Sequence, residues 1–474
     1  MLNPIKFGTD GWRAVIAEDF TFENVRYCAQ GVASYLKAKG LAKRGIAIGY
    51  DYRFASEDFA AATAEVMAGN GIHTWLSPKA IPTPQVCFTV LQKKAGGGIV
   101  ITASHNPAKY NGFKFREETG ISVSSEVSTE VEKYIHQALS AQKVQQMPLT
   151  EALNRKLVEY LDLTEDYLAQ ISRLVDIEKI RKAGLNIIID SMYGAGCGLF
   201  RQLLGGGTNK LTEINGERNP SFPGINPEPI TPNLKKLSGM VVRRKANIGL
   251  ATDGDADRIG IIDEKGNFLT QLQVFALLIL YLLEVRGERG AVVKTVTSTS
   301  MVDRLGEIYQ VPVYETPVGF KYVAPLFLQH NALIGGEESG GYGLRGHVPE
   351  RDSLPAGLYI IDFMLRTGKT PSQLLDYLYS KVGPHYYDRL DLHFSSEARE
   401  QIIEHVRKAS PGLINDVKVV KTDTLDGFRY ILADNSWLLI RFSGTEPVLR
   451  VYSEAFSPEQ VQKILLAGKK LTGI

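Results

Sequence analysis

A chain of 474 residues is too long for one ordinary core and is expected to divide into about three or four domains. Hydrophobic residues make up 44% and charged residues 22%, as in globular proteins. The 54 Lys+Arg against 52 Asp+Glu leave a net charge of +2, which gives no global field for a nucleic-acid or acidic-membrane partner.

Met1 to Lys6 lacks the apolar core of a signal peptide. The most apolar run, Val274 to Leu283, is about half the length needed to cross a bilayer, so a core helix is expected there. Cys28, Cys87 and Cys197 are odd in number and show no C-x-x-C spacing. They read as reduced core residues of a cytoplasmic protein with no membrane partner.

Along the chain, Gly8 and Gly11 bracket a turn, and Arg13 rides on the strand that leaves it. The Arg13 guanidinium suits either a structural ion pair or an anion clamp. Phe22 to Ala38 and Glu57 to Gly71 carry helical periodicity, while Ile46–Asp51, Ile72–Leu76 and Gly98–Ile101 read as strands. This β-α-β-α-β alternation predicts a mainly parallel sheet covered by helices. The loop Thr102-Ala103-Ser104-His105-Asn106-Pro107 follows the last strand, where open α/β sheets place their chemistry. Pro107 keeps the loop extended and is expected to hold Ser104 and His105 outward. The plain alternative is a strand-to-helix turn with Ser104 as its N-cap. Tyr110 to Phe115 puts Lys114 on an outgoing strand.

Leu149 to Ala183 is charged and reads as a helical bridge. A second strand–loop–helix unit begins at Leu185–Asp190, and a long Pro/Gly/Asn loop spans Asn215 to Pro232. The strand Ala246–Ala251 runs into Thr252-Asp253-Gly254-Asp255-Ala256-Asp257-Arg258. A third unit covers roughly Gly266 to Leu378, with strands near 291–296, 311–314 and 332–334, the last entering Gly335 to Gly341. Beyond Gly383, an alternating segment at 389–394, a helix from Glu397 and strands near 417–420, 428–432 and 437–442 predict a smaller α+β domain with an antiparallel sheet.

Asp253, Asp255 and Asp257 alternate in one glycine-containing loop. Carboxylates so close repel one another and raise their own pKa values unless a cation neutralises them. Oxygen ligands alone suit a hard divalent ion, Mg²⁺ first. An EF-hand is excluded because Arg258 and the apolar Ile259 to Ile262 stand where a calcium loop needs Gly and Glu. A solvated acidic turn is the alternative. Arg441 to Pro447 presents a guanidinium, the hydroxyls of Ser443 and Thr445 and the backbone of Gly444, an anion nest unless it is a plain β-turn. Arg450 offers a second fork. In Gly335 to Gly341, Glu337 and Ser339 can read hydroxyl groups.

A nucleophile, a metal loop, a hydroxyl-reading loop and a second phosphate cradle together suit phosphoryl transfer on a polyol. Neither a Walker-A lysine motif nor a Gly-x-Gly-x-x-Gly opening a helix is present, so the expected phosphoryl donor is the enzyme itself.

These four loops, in order and at domain-scale spacing from Lys6 to about Glu454, resemble those of the α-D-phosphohexomutase family of phosphoglucomutases, phosphomannomutases and phosphoglucosamine mutases. The resemblance implies an α/β protein of four domains around a central cleft. Three would be related units with mainly parallel mixed sheets, and the fourth a smaller C-terminal α+β domain. The expected spans are 1–150 with the phosphoserine loop, 151–263 with the metal loop, 264–380 with the sugar loop and 381–474 with the phosphate loop. It also implies that Ser104 carries the phosphoryl group and, through it, joins Asp253, Asp255 and Asp257 in holding Mg²⁺. Arg13, His105 and Lys114 match positions around the transferring group. Arg258, Thr316, Gly319, Lys321, Glu337 and Ser339 match substrate contacts, and so do Arg441, Ser443, Gly444, Thr445 and Arg450.

Some bacterial relatives carry a proton-transferring His where this chain has Gly341, and in some others a Lys stands at the position of Arg351. The general base is therefore open among Lys114, His347 and Arg351, of which His347 alone titrates near neutrality when unperturbed. The implied reaction interconverts glucose 1-phosphate and glucose 6-phosphate, with mannose phosphates as a second pair. It passes through phosphorylated Ser104 and glucose 1,6-bisphosphate, which is intermediate and activator. The hexose phosphate is the expected partner, and the chain is expected to be a monomer or weak homodimer. Phosphoglucosamine mutases typically have Gln where this chain has Glu338, which favours glucose. A metal-dependent sugar phosphatase and a non-catalytic sugar-phosphate sensor are the rivals from other classes.

Overall fold

The computed structural model describes residues 5–8, 10–394, 398–442 and 448–473. Its first sheet is built around Gly97–Ile101, all five residues of which are buried. That strand pairs parallel with Ile46–Tyr50 and antiparallel with Tyr110–Glu117. Trp12–Val15 lies antiparallel on the outside of Tyr110–Glu117, and Thr74–Leu76 and Val158–Tyr160 extend the other side in parallel. Strands buried on both faces need helices on both faces, and β-branched runs supply such strands.

Two elements depart from expectation. The helix Thr83–Lys93 forms between two strands read as adjacent; Pro82 and Pro84 look like breakers, but proline is tolerated in a first turn, where its missing N–H has no helical partner. Val158–Tyr160, inside the stretch read as a helical bridge, is an edge strand, so the first sheet draws on residues beyond 150.

The second sheet has the order Phe268–Leu269, Ile259–Ile262, Ile248–Thr252, Asn186–Asp190, Lys210–Ile214. The third has the order Val313–Thr316, Val292–Thr295, Ile334–Gly336, Tyr342–Leu344. In each, parallel pairing ends at a strand whose partner on the far side is an antiparallel return. Gln271–Leu280, continued by a wider turn over Tyr281–Val285, is apolar on every side and buried in the core shared by the second and third units. No helix among the described residues is long and apolar enough to cross a membrane.

The fourth domain is a six-stranded sheet, antiparallel throughout, in the order Tyr386–His393, Val448–Ala455, Trp437–Phe442, Phe428–Leu432, Val417–Asp423, Leu413–Ile414. Helices Arg399–Ala409 and Pro458–Thr472 pack on it. It docks on the third unit through an Arg429–Glu315 ion pair, a Glu454 carboxylate that accepts from Ser300 N at 2.9 Å, and an apolar patch of Val296, Trp437, Leu439 and Tyr452. The chain is thus three α/β units with mixed sheets and an antiparallel C-terminal domain.

Candidate active site

The three polar loops occupy the same place in their units. Residues 102–109 join Gly97–Ile101 to its antiparallel neighbour, residues 253–258 join Ile248–Thr252 to Ile259–Ile262, and residues 337–341 join Ile334–Gly336 to Tyr342–Leu344. Each loop therefore leaves the carboxyl end of the last parallel strand, where ligands bind in open α/β sheets.

Ser104 does not cap a helix, and it does not face outward as expected. It is 1% exposed, because the aspartate loop closes over it, and its hydroxyl donates to Asp253 Oδ2 at 2.9 Å. The two loops touch backbone to backbone: a Cβ on Gly254 would lie 2.3 Å from the Ser104 carbonyl oxygen, so only glycine allows this approach. Ser104 itself has a φ of 51°, a left-handed conformation that costs an L-residue about 1–2 kcal/mol. His105 Nδ1 is 3.4 Å from the Ser104 hydroxyl. Burial, with Arg258 and Arg13 nearby, holds its pKa well below the ordinary value, so its imidazole is neutral.

Asp253, Asp255 and Asp257 are fully buried, and they offer carboxylate oxygens within 4.8 Å of one another. The three are not equivalent. Burial, then Asp257 and Asp255, push Asp253 well above the carboxylate range. Burial acts the same way on Asp255, but Lys114 Nζ at 2.7 Å and the Thr83 hydroxyl at 2.6 Å outweigh it and hold that carboxyl below its ordinary value. Burial dominates at Asp257, which is raised despite Arg351. Asp255 Oδ1 and Asp257 Oδ1 are buried without a hydrogen-bond partner among the described residues. Unsatisfied anionic oxygens in a dry, oxygen-only cluster fit a hard divalent cation.

Cations surround this cluster. Lys114, fully buried, pairs with Asp10 at 2.8 Å and Asp255 at 2.7 Å. Burial would lower its pKa, but Asp10, Asp255 and Asp257 raise it on balance. Arg13 donates to the Asn106 side chain at 2.6 Å, and Arg258 Nε is 3.7 Å from Asp257.

Arg351 links this cluster to the sugar loop. One guanidinium nitrogen is 2.8 Å from Asp257 and 3.2 Å from Asp10, and the other donates to Glu337 at 3.0 Å. Its stem also explains Gly341. A Cβ there would sit 2.1 Å from Arg351 Cδ, so the arginine fills the space of a side chain at 341. Glu337 accepts from Gly319 N at 3.1 Å, which brings Thr316 and Gly319 to the same loop. The Ser339 hydroxyl is buried without a hydrogen-bond partner among the described residues. Lys321 lies in the first turn of Phe320–Gln329, with Nζ 5.2 Å from the Tyr322 ring.

His347 stands apart. Its side chain is 1% exposed, Nε2 is 2.7 Å from Asp352, and Tyr167 donates to that same carboxylate at 2.6 Å. Nε2 is thereby committed to Asp352, Nδ1 has no hydrogen-bond partner among the described residues, and of the three candidates Lys114 and Arg351 are the ones that reach the aspartates. In the C-terminal domain, Arg441 Nε donates to Asp426 at 2.8 Å, and Asp426 also accepts from Val318 N, beside Gly319. Arg450 lies on the neighbouring strand, opposite Arg441. Ser443, Gly444 and Thr445 lie outside the described residues.

Several residues of the site carry no signal as a motif. Asp10, held well below the carboxylate range although burial opposes it, is the shared partner of Arg116, Lys114, Arg351 and Arg13. It sits between the two glycines of the first turn, where its exposure to four cations depends on the fold. Thr83 opens the unexpected helix and donates to Asp255.

Four family models match the chain in order, described as phosphoglucomutase/phosphomannomutase alpha/beta/alpha domain I over residues 4–142, domain II over 165–266, domain III over 271–382 and the C-terminal domain over 404–467. The phosphoglucomutase/phosphomannomutase of Thermococcus kodakarensis is 32% identical, covering 98% of both chains. The phosphoglucosamine/phosphogalactosamine mutase of Sulfurisphaera tokodaii is 29% identical, also covering 98% of both. A crystal structure of a Thermus thermophilus protein assigned as a phosphomannomutase superposes over 100% of both chains with a TM-score of 0.85 and 33% identity. End-to-end agreement in sequence, domain order and fold places the chain in the phosphoglucomutase/phosphomannomutase family of α-D-phosphohexomutases, isomerases that transfer a phosphoryl group.

Proposed function

We propose that this phosphohexomutase interconverts glucose 1-phosphate and glucose 6-phosphate and takes mannose phosphates as a second pair. The observation that carries the reading is the continuity from Ser104 through Asp253 to Asp257, Arg351 and Glu337, which joins a nucleophile to a hydroxyl-reading acid in one buried chain of contacts.

Ser104 carries the phosphoryl group and gives it to the free hydroxyl of the bound monophosphate: the bond to Ser104 Oγ breaks as a bond to the sugar oxygen forms, and in the net step the proton that the sugar hydroxyl loses ends on Ser104 Oγ. The product, glucose 1,6-bisphosphate, turns end for end and returns its other phosphate to Ser104. Arg13 and Lys114 neutralise the phosphoryl oxygens, and neutral His105 lies within reach of the serine oxygen when it must gain or lose a proton. Glu337 and Ser339 bind sugar hydroxyls, while Arg441 and its loop grip the phosphate that is not reacting. Asp253, Asp255 and Asp257 would hold Mg²⁺, which polarises phosphoryl oxygens.

A phosphoglucosamine mutase is the second reading, supported by the name of the Sulfurisphaera relative. Glu338 favours glucose. Glucose, mannose and glucosamine 1-phosphates, each offered with Mg²⁺ and a trace of sugar bisphosphate, decide the matter by the rate of 6-phosphate formation. The expected order puts glucose first in kcat/KM. Preference for glucosamine would replace the reading, and release of inorganic phosphate without isomer would make the chain a phosphatase.

A further inference from the structure

We propose that Asp51, Arg53 and Thr102 are positioning residues for phosphoryl transfer, which together hold the main chain of Ser104 in the conformation that presents its hydroxyl to the aspartate loop. The inference rests on Ser104 being the phosphoryl carrier.

Asp51 and Arg53 follow the strand Ile46–Tyr50 and are 1% and 0% exposed. One guanidinium serves one loop. Its NH2 donates to the carbonyls of Ser104 at 2.7 Å and Asn106 at 2.6 Å, and its NH1 to those of Pro107 and Tyr110, both at 3.0 Å. Asp51 completes the clamp from the other side. Its Oδ2 lies 3.2 Å from Arg53 Nε and accepts the Thr102 hydroxyl proton at 2.5 Å. Because that proton is committed to Asp51, Thr102 Oγ1 turns a lone pair to the Ser104 N–H at 2.9 Å. A single ion pair thus fixes both the N–H and the C=O of the residue whose φ is 51°.

A buried cation is costly unless its protons find acceptors, and this one spends four on the carbonyls of residues 104–110. The Phe222 ring, from the long loop of the second unit, lies 5.0 Å over the guanidinium and keeps water from those bonds. None of these hydrogen bonds goes to the aspartates or the sugar loop, and although the charges of Asp51 and Arg53 act on Asp255 from a distance, neutral Thr102 can affect the reaction only through the place and tilt of Ser104.

The test compares Thr102→Val, which keeps the shape and loses both hydrogen bonds, with Thr102→Ser, which keeps the hydroxyl. Thr102→Val should lower kcat by about tenfold or more at a KM for glucose 1-phosphate within about twofold of wild type, as expected for a misplaced nucleophile. Phosphorylation of Ser104 by glucose 1,6-bisphosphate, followed by intact mass, should slow in parallel, and Thr102→Ser should recover both rates. Arg53→Lys, which cannot reach four carbonyls, should act in the same direction; if it does not fold, the Thr102 pair still decides. A Thr102→Val enzyme that melts earlier but turns over and takes up phosphate at the wild-type rate overturns the proposal, as does failure of Thr102→Ser to rescue. Phosphate retained on Ser104→Ala overturns it together with the reading beneath it, whereas a phosphate-free Ser104→Ala beside an unaffected Thr102→Val overturns the clamp alone.

Discussion

The hydroxyl of Ser104 meets the carboxylate of Asp253 at 2.9 Å, joining two loops that stand 149 residues apart in the chain. Phosphorylation consumes that hydroxyl proton, so the hydrogen bond and the phosphoserine exclude each other. Ser104→Ala should abolish isomerisation and take up no phosphate from a sugar bisphosphate. Its stability should fall by only about 1 kcal/mol, the net worth of one hydrogen bond. Intact mass and thermal melting check the two halves, and a phosphorylated, active Ser104→Ala enzyme would end Ser104's role.

Replacing single aspartates should separate metal binding from stability. Three equivalent carboxylates predict that losing Asp255 eases repulsion at little cost to the fold. The structure corrects this, because Asp255 is the partner of buried Lys114 and of Thr83, whereas Asp253 carries the charge that burial resists. Asp255→Asn should therefore cost about 3 kcal/mol of stability, the low end for breaking a buried pair, since Asp10 still faces Lys114. Asp253→Asn should change stability by less than about 1 kcal/mol. Both should lose at least about a hundredfold in kcat, and EDTA should silence the wild type until Mg²⁺ returns. Equal melting temperatures for the two variants, or a rate indifferent to EDTA, would contradict this account.

Asp190 gives a pH dependence outside the site. Burial pushes its carboxyl from 3.8 up to about 6, against hydrogen bonds from Met192 N and Asn215. A folded pKa above the unfolded value favours the protonated native state. Its contribution is therefore full below about pH 4 and is lost as pH rises through about 6, roughly 3 kcal/mol in all. Asp190→Asn should melt higher than wild type at pH 8, with the gap narrowing by pH 5. A gap that widens on acidification would reverse the sign.

Arg441 should matter far from the transferred phosphoryl group. A bidentate grip on the other phosphate, at about 1.5–3 kcal/mol per charge-assisted bond, makes Arg441→Ala about ten- to a few hundredfold weaker in kcat/KM. The bisphosphate should then escape more often before turning, so the variant should need more of it added to reach full rate. Unchanged kinetics would remove the C-terminal loop from the mechanism.

Three of the loops, those of Ser104, of the aspartates and of Glu337, were readable because each packs its polar residues into a few consecutive positions at the end of a buried strand, and side-chain type survives in one dimension; of the fourth loop, 443–447 lie outside the described residues. Ser104, His105, Asp253, Asp255, Asp257 and Glu337 are of this kind. Arg351 was readable as a candidate but not as a bridge, since Asp257, Asp10 and Glu337 come to it from three units. His347 is suited to proton transfer by residue type, and its pairing with Asp352, to which Tyr167 also donates, is a contact that the sequence does not signal. Asp51, Arg53 and Thr83 act through backbone carbonyls or across domains, which leaves no local pattern to find. Orientation was hardest: Pro107 argues for an extended loop, but what buries Ser104 is the aspartate loop pressed on it through Gly254.

The repeated hairpin, a last parallel strand, a polar loop and an antiparallel return, also bears on how such an enzyme can diversify. Each of these three loops is anchored at both ends in a sheet of its own, yet its side chains pair across the units: Asp255 with Lys114, and Glu337 through Arg351 with Asp257 and Asp10. In the third unit's loop, Glu337 is tied through Arg351 to the aspartates, whereas the Ser339 hydroxyl has no hydrogen-bond partner among the described residues and can be exchanged without breaking a contact. Gly254, wedged against Ser104, has no such freedom. Change in the hydroxyl-reading loop is therefore least constrained at Ser339, and change at the seam between the first two units most constrained at Gly254.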